Sequence, residues 1–406
     1  MPCCNPRRIL PCLLLAVALG GCQTSPHLVV TGNQLGITEN RLRVAARVNG
    51  QPVNLIFDTG SETSILFQPA AEKLGLKITM PPPDAKALPG KVFLGVTESC
   101  RIQLLGAAFQ GQFGVFNFPA GITPDEDGAL SWQWLRGSLL SFDLNRQRVE
   151  FVSALPQGID SWSTLPIVKE NAVLSFTTPD VGGKKLAVLI DTGDQEGITL
   201  SPAQWRAWRA AHPNAPATLG GYYSPSGGLD FSEVCWADEF DLGPLKLTQV
   251  PISGSSSGEK IILGAAAFDA SIGLNGLSRM DLVVDGKWGV IYARPENSPA
   301  RPYNHNRLGA VFLPKDLKSD PLIAHVLPGT PAFEAGIRDG DVLRRVGDDD
   351  VTHWRAAGSS LHNINFWEKP AGTQLDLILQ RDGRDFHALV TLRDLIGPSV
   401  KPAATP

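Results

Sequence analysis

Short apolar runs separated by glycine, asparagine and proline cover most of the chain, and this pattern is typical of β-strands joined by turns. The stretch from Arg41 to Gly60 contains two such runs joined at Asn49-Gly50, a dipeptide that favours tight hairpin turns. Helical patterns are short; in one of them Ser201 is suited to cap a helix and Pro202 to begin it. The pattern therefore predicts a mainly β protein.

The same plan occurs twice along the chain. Residues 28–153 and residues 165–295 each contain an apolar strand that ends in Asp-Thr-Gly, followed by a short helical patch and paired strand runs. The stretch 154–164 reads as a linker between them. The segment QPVNLIFDTGSETSIL in the first repeat matches KKLAVLIDTGDQEGITL in the second.

Each repeat then reaches an apolar element that ends in glycine. Gly137 and Gly264 lie 79 and 73 residues after the aspartates Asp58 and Asp191. Because four landmarks follow in the same order, the sequence predicts a duplicated domain.

A third unit is predicted from residue 306 to residue 396, after a linker rich in proline and asparagine at 296–305. It contains five strand-like runs and one helical stretch near residues 353–366.

The first 21 residues have the pattern of a secretory signal. Arg7 and Arg8 precede an apolar stretch that is too short to span a bilayer. It ends in LGGC, which resembles the lipobox of bacterial lipoproteins, a family in which this cysteine is lipidated. The resemblance implies a lipid on Cys22 that holds the protein to a membrane of the cell envelope, and Gln23 favours the periplasmic face of the outer membrane. The alternative is an ordinary secretory signal that contains a cysteine.

The composition is that of a globular protein. The chain has 406 residues, of which 43% are hydrophobic and 19% charged, so two or three domains are expected. A net charge of −4 gives no indication that the protein binds nucleic acid. Cys100 and Cys235 follow the signal, and the sequence leaves open whether they form a disulfide or are two small buried residues.

The paired Asp-Thr-Gly motifs suggest acid–base chemistry. Two carboxyl groups about 3 Å apart cannot both ionise, so Asp58 and Asp191 would share one proton. The ionised group would activate water as a base, and the protonated group would act as an acid towards a carbonyl oxygen. Glycine permits a tight turn, and threonine can bond across to the opposite loop. The loop residues expected to support the pair are Thr59, Gly60, Ser61, Thr192 and Gly193.

On these motifs, residues 28 to 295 resemble the aspartic proteases, in particular a tandem, single-chain form of bacterial retropepsin-like domains. The resemblance implies two β-barrel-like lobes with the active site between them, under a β-hairpin flap. It also implies an aspartic endopeptidase that cleaves protein or peptide without a cofactor. The apolar-Gly elements resemble the family motif beneath the aspartate loop, and the flap candidates are residues 88–95 and 219–228. The histidines are scattered, so no metal site is expected.

The second motif departs from the family at one position. Asp194 stands where the family has Ser, Thr or Ala, and a third carboxylate there would raise the pKa values of the pair or need its own partner. The second loop is also one residue longer, because Leu200 lies nine residues after its aspartate and Leu66 eight. The alternative function is therefore a catalytically weak or inactive lipoprotein that binds peptide in the lobe cleft and in a groove of the third unit.

The third unit resembles bacterial PDZ domains. The segment 329–351 carries the signature pairs Pro-Ala, Ala-Gly and Gly-Asp. Upstream lies a stretch similar to the carboxylate-binding loop of that family, formed by Leu308, Gly309, Ala310, Val311 and Phe312. The resemblance implies that backbone N–H groups there bind a peptide C-terminus while the peptide adds a strand to the sheet edge. The alternative is a unit that only packs on the protease lobes.

The stretch GSSSG at 254–258 fits the G-x-S-x-G pattern of serine hydrolases. A nucleophile elbow needs a strand before it and a helix after it, whereas a strand-like run follows here. The sequence favours a Gly/Ser loop.

Overall fold

The structure is a computed structural model of the chain. It describes residues 34–38, 41–79, 93–104, 107–117, 126–145, 148–178, 185–224, 228–255, 260–263, 265–296, 303–316, 319–354 and 366–398. The predicted signal and Cys22 lie outside the described residues.

The described part of the chain is mainly β, which confirms the predicted class. The strands up to residue 166 are β1 (Gln34–Thr38), β2 (Arg41–Val48), β3 (Gln51–Asp58), β4 (Ile65–Phe67), β5 (Ile78–Thr79), β6 (Phe93–Thr97), β7 (Cys100–Leu104), β8 (Ala107–Gly111), β9 (Gly114–Phe116), β10 (Gly128–Ser131), β11 (Leu139–Asp143), β12 (Arg148–Phe151) and β13 (Ser163–Pro166).

The strands from residue 175 to residue 295 are β14 (Ser175–Thr177), β15 (Ala187–Ile190), β16 (Ile198–Leu200), β17 (Ala217–Ser224), β18 (Gly228–Leu242), β19 (Leu245–Gly254), β20 (Ile261–Leu263), β21 (Ala266–Phe268), β22 (Ala270–Ile272), β23 (Met280–Asp285) and β24 (Val290–Pro295). The last strands are β25 (Ala310–Pro314), β26 (Leu322–Val326), β27 (Val342–Val346), β28 (Asp349–Asp350), β29 (Gln374–Arg381) and β30 (Arg384–Thr391).

Helices are short. The α-helices are α1 (Gln68–Lys73), α2 (Pro202–Ala211), α3 (Leu274–Leu277) and α4 (Pro331–Glu334), and the 3-10 helices are Trp132–Trp134, Ile159–Ser161 and Phe366–Glu368. Helix α2 begins at Pro202 as predicted, because proline is well suited to the first helical position. Ser201 precedes it, but its side chain makes no capping hydrogen bond.

Strands from the two repeats belong to one sheet. Strand β11 pairs antiparallel with β23, and the 15-stranded sheet that results extends from β13 to β5. Strand β2 shows why the chain folds this way: every second residue, Leu42, Val44, Ala46 and Val48, is apolar and buried, and three of the other four residues are arginines. One continuous hydrophobic core runs from Leu42 to Ala293, so both repeats pack as a single body.

The strand registers show that the two aspartate regions are built alike. Strand β10 pairs parallel with β3 and antiparallel with β4, and β22 pairs parallel with β15 and antiparallel with β16. In this register Leu66 lies opposite Gly128, and Leu200 lies opposite Ala270. Leu66 and Leu200 are therefore equivalent, which confirms that the second loop is one residue longer.

The predicted roles of Gly137 and Gly264 are wrong. The elements beside the aspartate strands are β10 in the first repeat and β22 in the second. Gly137 comes after the 3-10 helix that follows β10, and Gly264 lies outside the described residues, after β20. Strand β20 pairs only with β21 in the sheets that the structure describes, and neither aspartate strand is hydrogen-bonded to it.

The C-terminal unit, which extends from residue 306 to residue 398 in the structure, has a six-stranded sheet in which β25 lies at one edge of the main path. Its own core includes Leu308, Phe312 and Trp354. Strand β25 is buried along its whole length, because its other face packs on the second repeat through Val311 and Leu313.

Both cysteines that follow the signal, Cys100 and Cys235, are unpaired and buried. Burial raises the pKa of the Cys235 thiol to about 12. Of the two alternatives, a disulfide or two small buried residues, the structure therefore favours the second. Within the described residues, the helices are all too short or too polar to cross a bilayer.

Candidate active site

Both Asp-Thr-Gly motifs lie at the ends of buried strands. Asp58 is the last residue of β3 and lies opposite Ser131 in the parallel pairing with β10. Asp191 follows β15, and its N–H donates to the carbonyl of Ile272 on β22, at 3.0 Å. The residues before each aspartate are almost fully buried, whereas each aspartate keeps partial exposure. The apolar strands thus deliver both carboxyl groups to the edge of the core, where solvent can reach them.

The two loops are joined by reciprocal hydrogen bonds between their threonines. The hydroxyl of Thr192 donates to the carbonyl of Phe57 at 2.6 Å and accepts from the N–H of Thr59 at 3.1 Å. The hydroxyl of Thr59 donates to the carbonyl of Ile190 at 2.6 Å and accepts from the N–H of Thr192 at 3.0 Å. Both threonines are buried, so the four bonds fix the two loops against each other.

The glycines allow the loops to meet closely. A Cβ atom added to Gly60 would lie 2.5 Å from Cγ of Asp191, and one added to Gly193 would lie 2.6 Å from Cγ of Asp58. Side-chain atoms do not approach this closely, so only glycine leaves each carboxyl group its place beside the opposite loop.

The carboxyl groups of Asp58 and Asp191 share a hydrogen bond, and their titrations are linked. Burial, and then the charge of Asp191, raise the pKa of Asp58 well above its usual value. Burial also raises the pKa of Asp191, against the effect of hydrogen bonds from Gly193, Asp58 and Asp194. Because both pKa values are raised and the two titrations are linked, the two carboxyl groups hold one proton as a pair.

The loop residues that follow each motif differ. Ser61, which was expected to support the first loop, donates its hydroxyl to the carbonyl of Thr63 at 2.8 Å. Asp194, at the equivalent position, donates its N–H to Oδ1 of Asp191 at 3.2 Å. Its carboxylate turns towards its own loop and accepts from the N–H of Glu196 at 2.9 Å.

Asp194 is not a charged neighbour of the pair at neutral pH. Its pKa is raised to about 8 by burial, and further by the charges of Asp191 and Glu196. Below that pH the side chain is neutral and adds no repulsion to the shared proton. The departure from the family pattern is thus tolerated electrostatically.

A contact that sequence reasoning missed reaches the second loop from residue 303. The hydroxyl of Tyr303 donates to Oε2 of Glu196. Tyr303 lies 107 positions away in the chain, in the segment read from the sequence as a linker. No local pattern marks such a pair.

The predicted carboxylate-binding loop lies at the start of β25. Leu308, Ala310 and Phe312 face the core of the C-terminal unit, and Val311 faces the second repeat. All four side chains are buried, as is Gly309.

The backbone N–H groups of this loop already have a partner. Those of Leu308 and Gly309 both donate to Oδ1 of Asn306, each at 2.9 Å. The amide nitrogen of Asn306 in turn donates to the carbonyl of Ala310 at 2.8 Å. The buried side chain of Asn306 therefore occupies the donors that the resemblance assigns to a peptide C-terminus.

One flap candidate, 219–228, lies in the hairpin of β17 and β18, and residues 225–227 are outside the described part. Leu219 and Phe231 of this hairpin pack on Val311 and Leu313 of β25. Phe231 also stacks on His325 with ring centroids 4.1 Å apart. In the other candidate, 88–95, only residues 93–95 are described. Coverage of the aspartates by either segment stays a prediction.

Comparison with known proteins finds a similarity in the first region. Residues 44–132 match the aspartyl protease family. This stretch includes Asp58 and strand β10. A separate comparison finds a 73-residue stretch that is 33% identical to serine protease HTRA1 of Xenopus tropicalis. It covers 18% of this chain and 14% of that protein, so the chain spans only a small part of that relative. In the described residues, no cluster of His, Cys, Asp and Glu is suited to hold a metal ion.

Proposed function

We propose that the protein is an aspartic endopeptidase that hydrolyses peptide bonds with water activated by Asp58 and Asp191. The observation that carries the proposal is the pair of carboxyl groups, each of which lies against the glycine of the opposite loop, between two loops that bond to each other. Cleavage of an unfolded protein by the wild type, and its loss in an Asp58→Asn variant, test the proposal.

The mechanism follows from the single shared proton. The ionised member of the pair accepts a proton from water as the water oxygen attacks the scissile carbonyl carbon, and the protonated member donates its proton to the carbonyl oxygen. The tetrahedral intermediate then breaks its C–N bond: the leaving nitrogen takes a proton from the pair, and a hydroxyl group of the intermediate returns a proton to the pair as the new carboxyl group forms. Proton counts balance, because the pair begins and ends with one proton. No metal or cofactor takes part in these steps.

The raised pKa of Asp194 leads to a pH prediction for an Asp194→Ser variant. Above pH about 8 the Asp194 carboxylate is ionised and makes loss of the shared proton harder, so it raises the upper pKa of the pair. Serine removes that charge. We expect the basic limb of the rate–pH profile to move to lower pH by about half a unit to one unit, with the acid limb unchanged.

An Asp160→Ser variant, with the same change on an exposed residue of a 3-10 helix, is the control and keeps the wild-type profile. A basic limb that stays in place in Asp194→Ser would mean that the Asp194 carboxylate does not act on the pair.

We further propose that the C-terminal unit is a PDZ domain that binds the C-terminus of an extended peptide or partner at the edge strand β25. The signature pairs in 329–351 and the place of Leu308–Phe312 at the start of that strand support this proposal. In this arrangement Asn306 competes with the incoming carboxylate for the two N–H donors of the loop.

We therefore expect an Asn306→Ala variant to bind a peptide carboxylate more tightly, by about tenfold, because the N–H groups of Leu308 and Gly309 are freed. The measurement is fluorescence anisotropy with a labelled hexapeptide that ends in a free valine carboxylate. An Asn306→Asp variant keeps an acceptor oxygen in the loop and is expected to bind as weakly as the wild type. Equal binding of the amidated peptide to Asn306→Ala would contradict carboxylate recognition.

The proposed location is the periplasmic face of the outer membrane, with the protein held by a lipid on Cys22. The LGGC sequence after the apolar stretch supports this proposal. Retention of the wild type, and loss of a Cys22→Ser variant, in the detergent phase of a phase-partition experiment test it.

A further inference from the structure

The loop that follows Asp191 is held by a residue outside both repeats. Tyr303 lies in the segment that leads into the C-terminal unit, and its hydroxyl donates a hydrogen bond to the carboxylate of Glu196. Glu196 belongs to the loop between Asp191 and β16. A side chain from the C-terminal segment thus contacts the loop that carries one of the two carboxyl groups.

A short series of hydrogen bonds connects this contact to Asp191. The N–H of Glu196 donates to Oδ1 of Asp194 at 2.9 Å, and the N–H of Asp194 donates to Oδ1 of Asp191 at 3.2 Å. On its other side the loop rests on helix α3: the carbonyls of Asp194 and Glu196 accept from Leu274 at 2.8 Å and Asn275 at 3.0 Å. Movement of Glu196 would therefore change the position of the donor to Asp191.

The ring of Tyr303 is itself fixed in place. It packs on Val234 and Trp236 of β18 and on Ile396, which follows the last strand of the C-terminal unit. The Trp236 and Tyr303 rings have centroids 6.4 Å apart. Packing against both β18 and the end of the C-terminal unit restricts the position of the Tyr303 hydroxyl.

The first loop is held differently. Ser61 donates its hydroxyl to the carbonyl of Thr63 within the same loop, at 2.8 Å. Gln133, from the 3-10 helix after β10, donates to the carbonyl of Glu62 at 2.6 Å. Beyond Gly60, the first loop therefore uses partners within its own repeat, whereas its threonine bonds the second loop. The second loop, which is one residue longer, uses the C-terminal segment.

We infer that Tyr303 is a positioning residue of the proposed catalytic site, which acts through Glu196 and Asp194 to hold the loop of Asp191 in its productive geometry. The inference rests on the proposed endopeptidase function. It makes the C-terminal segment part of the catalytic apparatus. The turnover rate therefore depends on how this segment packs on the second repeat.

A Tyr303→Phe variant keeps the ring packing and loses only the hydroxyl. With fluorescein-labelled casein, an unfolded protein, we expect kcat to fall about three- to tenfold with KM nearly unchanged, because substrate contacts are retained while the donor to Asp191 loses its restraint. A Glu196→Ala variant should lose as much, and the double variant no more than either single one, because both changes break the same bond. Tyr292→Phe, which removes a hydroxyl from β24, is the control and keeps the wild-type kcat.

The outcomes separate the two proposals. An active wild type whose Tyr303→Phe variant has the same kcat, or whose two single losses add in the double variant, overturns the positioning role and leaves the endopeptidase proposal intact. A wild type that cleaves no better than Asp58→Asn overturns both.

Discussion

An Asp58→Asn variant is expected to cleave unfolded protein at least about a thousandfold more slowly than the wild type. Asparagine has nearly the shape of the side chain that it replaces, but it cannot carry the proton that the pair must donate to the substrate carbonyl. Asp191 would remain, with its hydrogen bonds from Gly193 and Asp194. The measurement is the initial rate on fluorescein-labelled casein at several pH values. The wild type and the variant are purified in the same way, because a contaminating protease would then produce the same cleavage in both preparations.

The same variant gives a second result that depends on protonation. The pKa of Asp58 is raised in the folded protein, so the native state binds more protons than the unfolded chain once pH exceeds the ordinary aspartate value of about 3.9. The stability that this proton contributes is therefore present at low pH and is lost as pH rises through the raised pKa. An asparagine at this position would remove the dependence, because its side chain does not titrate. We expect the variant to melt at a higher temperature than the wild type at pH 7, and the difference to shrink towards pH 4.

Asp281→Asn is the matched control. Asp281 bonds Arg294 at 2.8 Å in a surface ion pair on β23 and β24, so the same carboxyl-to-amide change there should alter neither rate nor pH dependence noticeably. If Asp58→Asn cleaves as fast as the wild type, the two carboxyl groups are not the catalyst. The non-catalytic peptide-binding function is then favoured.

The sequence was sufficient to predict the meeting of the two motifs, because each Asp-Thr-Gly follows a strongly apolar strand and the landmarks repeat in order. It was not sufficient to choose the strands beneath them. Apolar runs that end in glycine are common in a β protein, and β20 and β22 are two such runs separated by only a few residues. The choice depends on strand pairing, since β22 lies beside β15 whereas β20 pairs with β21.

Long-range polar contacts escaped sequence reasoning for a different reason. Tyr303 and Glu196, and Asn306 and its loop, are single polar residues with no periodicity, and their roles appear only when distant segments meet. The sequence likewise did not determine the charge state of Asp194. Its residue type indicated repulsion, whereas its burial raises its pKa to about 8 and keeps it neutral at pH 7. The environment of a carboxyl group, and not its identity, sets its charge.

The reciprocal threonine bonds lead to the second large effect, which is expected in a Thr192→Val variant. Valine has the shape of threonine without the hydroxyl, so the carbonyl of Phe57 and the N–H of Thr59 would both lose their partner in a buried site. Each such unsatisfied group costs about 1–3 kcal/mol. We expect the free energy of unfolding to fall by about 2–5 kcal/mol and Tm by about 5–15 °C. Cleavage should be lost as well, because the loops no longer hold the carboxyl groups together.

Thr192→Ser separates the hydroxyl from the rest of the side chain. Serine keeps both hydrogen bonds and loses one methyl group, so it should retain most of the stability and much of the activity, with a cost of about 1 kcal/mol. A Thr192→Val protein that melts and cleaves like the wild type would show that the two loops are not joined in solution. If the valine variant loses no more stability than the serine variant, the hydroxyl contributes no more to stability than the methyl group does. Only a loss that is clearly larger in the valine variant than in the serine variant supports a site in which one threonine from each repeat fixes the aspartate of the other.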